Sequence, residues 1–161
     1  LFLFYVNSRR HFLAALPLLA SACATDRSSG TSAKTSGDGE LRVMTYNLRY
    51  ASPKSPDSWP ERRPAVKALL DKYAPDIFGT QEGLYEQLRD ITADQTVYDW
   101  IGLGRDGGSR GEFMAVFYRR DRFDVLAYDH FWLSDTPDVI GSSTWGNTNR
   151  RMVTSVRFRD R

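Results

Sequence analysis

Between Leu41 and Tyr46 apolar and polar residues alternate with the period of a half-buried strand, and the run delivers Asn47 at its end. A proline-rich stretch from Ser52 to Trp59 reads as a loop. It leads into a helix, because Ser58 and Glu61 have capping-box spacing, Pro60 is tolerated in a first turn, and Val66, Leu69, Leu70 and Tyr73 recur on one face. Pro75 stops that helix. Asp76 to Thr80 is a short strand that runs out at Gln81 and Glu82, and a second amphipathic helix carries Leu84, Leu88 and Ile91. Phe113 to Tyr118 and Phe123 to Tyr128 read as two strands joined through the charged turn Arg119 to Arg122, which suggests a hairpin closed by Tyr118 and Arg119. His130 to Leu133 continues as strand, Ser134 to Asp138 turns, and Gly141 to Asn149 is a polar loop holding Trp145. Met152 to Phe158 alternates as a last strand, which needs some other segment to pair on its far edge. No internal repeat is visible.

The first residues follow a different logic. Ser8-Arg9-Arg10-His11-Phe12-Leu13 leads into an apolar run that ends at Ala22, before Cys23. This charged region and short apolar stretch resemble a bacterial twin-arginine export signal, and the stretch is too short to cross a hydrocarbon core of about 30 Å. The spacing fits two outcomes. Ala20-Ser21-Ala22 before Cys23 resembles a lipoprotein cleavage box with Cys23 lipidated, and Ala22-Cys23-Ala24 fits plain cleavage. The signal is thus assigned to residues 1–24. Leu1 to Tyr5 is unusually apolar for the start of such a segment. Residues 25–40, rich in Ser, Thr and Gly, read as a flexible linker, and residues 41–161 as the folded part.

Composition narrows the function classes only modestly. An apolar fraction of 41% suits one ordinary soluble domain with flanking material. Cys23 is the sole cysteine, so no intrachain disulfide can form. Removing Arg9 and Arg10 from the 22 basic residues leaves 20, against 20 acidic ones. A neutral chain lacks the broad basic footprint of a protein that holds duplex nucleic acid through its phosphates, which weakens a nucleic-acid-binding module but leaves room for a local basic cleft.

The chemistry points to Glu82. It follows an apolar strand and precedes Gly83, so its carboxylate sits near a sheet edge and needs a cation, an arginine or water. Met44-Thr45-Tyr46-Asn47-Leu48-Arg49, then Gly79-Thr80-Gln81-Glu82-Gly83, then Gly111-Glu112-Phe113 with Phe117-Tyr118-Arg119, then Phe131-Trp132-Leu133-Ser134-Asp135-Thr136-Pro137 occur in that order. The series resembles the endonuclease/exonuclease/phosphatase superfamily, in particular its bacterial exported, deadenylase-like branch. The resemblance implies an α/β fold, a four-layer α/β sandwich of the DNase I-like type, of which this chain would supply the N-terminal part. It implies a metal-dependent phosphoesterase with Mg²⁺ (or Mn²⁺) held by Glu82, and with Asn47 orienting the phosphate or the water shell of the ion. That agrees with the ion's preference for oxygen ligands and for only one or two protein carboxylates.

Around this pair, Glu112 is a candidate catalytic residue that lines the same cleft, and Tyr118 and Arg151 are candidate substrate contacts. Arg150 stands where the family has a proline before the arginine. His130 reads as structural. The later family motifs, an Asp-x-Asn segment and a terminal Asp-His pair expected much further along than Asp129-His130, have no counterpart in the sequence, so the resemblance implies that this chain alone is inactive or nearly so. The implied partner is a phosphate-ester substrate, with nucleic acid ends, nucleotides, phospholipid headgroups and sugar phosphates all open. A membrane contact would come through a lipid on Cys23, and no protein partner is evident. The rival reading is a non-catalytic envelope binding protein on the same sandwich.

Overall fold

A computed structural model describes residues 2–8 and 40–161 of the chain. The elements, in order, are β1 (Phe2–Ser8), β2 (Val43–Asn47), α1 (Trp59–Tyr73), β3 (Ile77–Gln81), α2 (Tyr85–Asp94), β4 (Tyr98–Ile101), β5 (Val116–Arg119), β6 (Phe123–Trp132) and β7 (Met152–Asp160). They form a four-stranded sheet in the order β2-β3-β5-β4 and a three-stranded sheet in the order β1-β7-β6.

The expected capping at the start of α1 is present in altered form. The Glu61 carboxylate accepts from both the backbone N–H and the hydroxyl of Ser58, at 2.8 Å each. Ala74 then takes a left-handed cap conformation and Pro75 ends the helix. Of the predicted apolar face, Val66 and Leu70 are buried, whereas Tyr73 is exposed beneath the ammonium of Lys72.

β3 is buried on both faces, and this fixes the layering. Phe78 points to the helices, where it stacks on Phe117 of β5 at 4.6 Å and joins Val66, Leu70, Leu88 and Ile91. Ile77 points the other way and meets Val116, Tyr118, Phe123, Val156 and Phe158 in the core between the sheets. Helices, four-stranded sheet and three-stranded sheet therefore stack as successive layers.

The expected hairpin across Arg119 to Arg122 does not form. β5 already has β3 on one edge and β4 on the other, both antiparallel, so no edge is left for β6. The turn instead carries the chain to the second sheet, where β6 pairs with β7. β4 is the strand that periodicity overlooked, since four residues with Asp99 among them show no usable alternation.

The crossover is held by Arg122. Its guanidinium lies 2.9 Å from Asp76 and 2.8 Å from Asp160 and donates to the carbonyl of Glu40 at 3.0 Å. Asp76 is 1% exposed and also accepts the N–H of Arg42 at 2.8 Å. A carboxylate so deeply buried is tolerable only with such partners.

On the far edge of β7, the partner that the last strand needs is β1, paired in parallel from Phe2 against Thr154 to Ser8 against Asp160. The arginine pair, the apolar run, Cys23 and the linker lie outside the described residues. No helix among the described residues is long and apolar enough to cross a membrane.

Asp76→Asn should lower stability by about 2 kcal/mol, because Arg122 loses its charged partner in the most buried part of the clamp. Urea unfolding measures this, and a midpoint unchanged from the parent would show that the clamp contributes nothing.

Candidate active site

β2 and β3 lie side by side in parallel, with Asn47 opposite Gln81, so the ends of both strands open at the same sheet edge. The next residue, Glu82, has φ of +58°. A non-glycine residue in this left-handed region carries about 1–2 kcal/mol of strain. What it gains is direction. Oε1 accepts from the side-chain amide of Asn47 at 2.9 Å, and Oε2 accepts from the backbone N–H of Tyr50 at 3.3 Å. The amide oxygen of Asn47 is taken by the N–H of Arg49 at 2.7 Å, which fixes the amide's orientation.

Gly83 leaves little room for a side chain beside this glutamate. A Cβ there would come within 3.0 Å of Leu48 Cδ1 and 3.2 Å of Leu88 Cδ2, both in the core. Its carbonyl accepts the N–H of Phe113 at 2.7 Å, which ties the 111–113 segment to the site.

Two residues with no signal in the motif series hold the loop that carries Tyr50. Arg62 donates to the carbonyls of Leu48 at 2.6 Å, Arg49 at 3.1 Å and Asp57 at 2.8 Å. Gln87, fully buried, donates to the Arg49 carbonyl at 3.2 Å while accepting the N–H of Leu84 at 2.9 Å. The spacing of Gln87 from the start of α2 marks it as a cap; nothing local marks Arg62.

Glu82 faces a cleft of about 190 Å³ whose wall also includes Glu112, Met114, Arg105, Arg150 and Arg151. Glu112 pairs with Arg105 at 2.9 Å. The backbones of Arg105 and Arg151 are anchored where β6 ends. The indole of Trp132 donates to the carbonyl of Arg105 at 2.9 Å, and the N–H of Leu133 to that of Arg151 at 2.8 Å.

The structure thus brings Asn47, Glu82, Glu112 and Arg151 to one place, and adds Arg105 and Arg150, which the sequence reading did not propose as site residues. Tyr118 is not part of it. It is 8% exposed, pairs with Ile77 at the opposite end of β3, roughly 17 Å of strand away from Glu82, and packs its ring 5.0 Å from that of Phe158. Burial between the sheets pushes its phenol above the ordinary range. Its role is packing, a correction to the expected substrate contact. His130 lies on β6 with Nδ1 3.2 Å from the hydroxyl of Thr154, and burial lowers its pKa. Cys23 lies outside the described residues.

The donor set at Glu82 fits a hard divalent cation that keeps most of its water. Each carboxylate oxygen accepts one neutral N–H, among the described residues no arginine, lysine or histidine forms an ion pair with it, and it opens to the cleft. Among the described residues no group of three or more His, Cys, Asp or Glu gathers, which argues against an all-protein zinc cage.

Residues 44–156 match the Endonuclease/Exonuclease/phosphatase family. Among solved structures, an endonuclease/exonuclease/phosphatase family protein of Bacteroides thetaiotaomicron superposes with a TM-score of 0.72 and 40% identity, over 75% of this chain and 46% of that one. A mannosyl-6-phosphatase of the same organism gives 0.72 and 39%, over 75% and 46%. An uncharacterized protein of Acanthamoeba polyphaga mimivirus is 26% identical over 133 residues, 70% of this chain and 19% of that protein. The chain spans somewhat less than half the length of these solved relatives. Their folds are DNase I-like, and the layers described above correspond to part of that sandwich.

Arg62→Ala should free the loop at residues 48–50. Hydrogen exchange at the amide of Tyr50 would then speed up by about tenfold or more, while the amides of β3 keep their protection. Unchanged exchange at Tyr50 would show that Gln87 alone suffices.

Proposed function

The chain belongs to the endonuclease/exonuclease/phosphatase family, and from that premise we propose that it supplies the Glu82 side of the active site of a metal-dependent phosphoesterase. The observation that carries this reading is the strained carboxylate of Glu82, which forms no ion pair among the described residues and lines a cleft that also holds arginines. A residue in an unfavourable backbone state persists where its surroundings over-determine it, and such residues gather at functional sites.

Each residue has a task in this reading. Glu82 is the ligand for Mg²⁺ or Mn²⁺. Asn47 and the N–H of Tyr50 lock the carboxylate so that it meets the ion without reorganising. Arg151, exposed at the mouth of the cleft, takes non-bridging phosphate oxygens, for which a guanidinium fork is suited. Glu112 acts through Arg105, which it holds in place. When bound, the ion would polarise the phosphoryl group and stabilise the charge that develops on its oxygens. A second acidic group and the base for the attacking water are assigned, by the family resemblance, to Asp-x-Asn and Asp-His motifs outside these 161 residues. The chain alone is accordingly expected to be inactive or nearly so. The solved relative that is a mannosyl-6-phosphatase supports hydrolysis of a phosphate ester and favours a monoester.

The proposed place of action is outside the cytoplasm, through the twin-arginine segment at Arg9 and Arg10, with Cys23 lipidated or removed. Cleavage at Cys23 would detach β1 from β7, so export and the paired edge are alternative uses of the same residues. Replacing Arg9 and Arg10 together by Lys should leave the precursor unprocessed in the cytoplasm on fractionation; normal processing would defeat the export assignment.

In a protein extended to the length of its solved relatives, phosphatase and phosphodiesterase activity should require Mg²⁺ and vanish with chelator. Asn47→Ala should reduce activity by roughly 10–100-fold and Glu82→Ala by more. Activity that survives both chelation and Glu82→Ala defeats the assignment.

A further inference from the structure

A second cavity, of about 310 Å³, adjoins the Glu82 cleft and shares Arg105 and Arg150 with it. Asp106, Ser143, Thr148 and Asn149 complete its wall. Every one of these six side chains ends in a hydrogen-bonding group, and no aromatic or purely aliphatic residue takes part.

Both walls are firmly built. On one side the turn at residues 104–111 is closed by the N–H of Gly104 to the carbonyl of Gly108 at 2.9 Å and by the N–H of Arg105 to that of Glu112 at 3.1 Å. Gly111, at φ of +75°, lies so close that a Cβ there would be 2.5 Å from Asp106 Oδ2. On the other side the 141–149 loop is pinned to Asp135, which accepts the Thr144 hydroxyl and the Trp145 indole at 2.8 Å each. Those two bonds hold the Asp135 carboxyl below its usual range. An ion pair between Arg150 and Asp106 spans the two walls.

We propose that this cavity receives the polyhydroxylated leaving group of a small phosphate ester whose phosphoryl group lies between Glu82 and Arg151. The inference rests on the phosphoesterase reading of that cleft and names its substrate class. A sugar-like alcohol both donates and accepts at every hydroxyl. The wall answers with donors on two arginines, an acceptor on Asp106, and groups of both kinds on Ser143, Thr148 and Asn149. A nucleobase is held by stacking on aromatic or guanidinium faces together with edge contacts, and a lipid chain by apolar surface. This cavity offers neither an aromatic platform nor an apolar wall, and its two guanidiniums are held edge-on in ion pairs with Glu112 and Asp106 rather than left as free stacking faces. A longer nucleic acid would bring further phosphates against the Asp106 carboxylate. The volume falls at the low end of small-molecule sites, which run from about 300 to 1,000 Å³. Arg150, the residue that replaces a family proline, joins the two cavities together with Arg105.

Calorimetric titration of the 161-residue chain in Mg²⁺-containing buffer tests this with a hexose 6-phosphate, adenosine monophosphate and inorganic phosphate as probes. The hexose 6-phosphate should bind at least about tenfold more tightly than the other two. Thr148→Val combined with Asn149→Ala should erase that advantage; both positions are exposed, and a thermal melt checks that the variant is folded. If the pair unfolds, Ser143→Ala serves as the second variant and should reduce the advantage. No preference for the hexose ester, or a preference that survives the substitutions, overturns the proposal. Turnover of an aryl phosphate by the extended protein separates the two assignments. Its absence with Mg²⁺ present defeats the phosphoesterase reading, whereas turnover accompanied by tighter binding of the nucleotide defeats the subsite alone.

Discussion

The structure hangs on a single guanidinium. Arg122 sits where the chain leaves one sheet for the other and binds Asp76, just before β3, and Asp160, at the end of β7. Because those two carboxylates meet at one arginine while Gln81 and Met152 meet in the Glu82 cleft, β3 and β7 run in opposite senses across the sandwich. One end of the two sheets is therefore closed by charge pairing. The other end is open, and the candidate site occupies it. Desolvating Asp76 and Arg122 is unfavourable taken alone, and only the short, multiply bonded geometry offsets it.

At the open end, strain and support are matched. Glu82 takes a left-handed backbone conformation that a glutamate disfavours, and Arg49 nearby does the same with φ of +55°. Neither could persist in a free loop. Arg62 grips four carbonyls of the loop region and Gln87 takes the Arg49 carbonyl from the side of α2, so the loop that brings the Tyr50 N–H to Glu82 is fastened to both helices. The helices are themselves joined where Arg63 meets Asp90 at 2.8 Å and Asp94 at 2.7 Å. The site is built outward from a rigid pair of strands, with its polar side chains already pointed before any ligand arrives.

The cleft and the neighbouring cavity divide the charges in a usable way. Glu112 keeps Arg105 occupied and Asp106 keeps Arg150 occupied, whereas among the described residues no such ion pair involves Arg151. Among the described residues, Arg151 thus enters the wall of the Glu82 cleft only, at the position proposed for a phosphoryl group, while the ion-paired Arg105 and Arg150 line both that cleft and the cavity proposed for neutral hydroxyls. The apolar run from Phe131 to Leu133 supports both by anchoring the backbones of Arg105 and Arg151.

Much of this was legible along the chain. The capping spacing of Ser58 and Glu61, the stop at Pro75, the buried strand before Glu82 and the alternation of β7 are local, and local chemistry is enough to set them. The order of motifs also sufficed to single out Asn47 and Glu82, since a strand end with a carboxylate and a glycine is a short-range pattern. Which strands share a sheet is a different kind of fact. Val116 to Arg119 and Phe123 to Tyr128 look like two arms of a hairpin until β3 and β4 have filled both edges of β5, and that same placement moves Tyr118 from the site into the core. Arg62, Gln87, Arg105 and Arg150 became visible as site residues only when distant segments met, because their roles consist of hydrogen bonds and ion pairs to residues up to 44 positions away. The sequence by itself determined most of the elements, though not β4 or the strand at residues 2–8, and it pointed to Asn47 and Glu82, which the fold brings into contact. Only the tertiary structure decided the surroundings of that pair, since edge availability and long-range pairing depend on how the whole core packs.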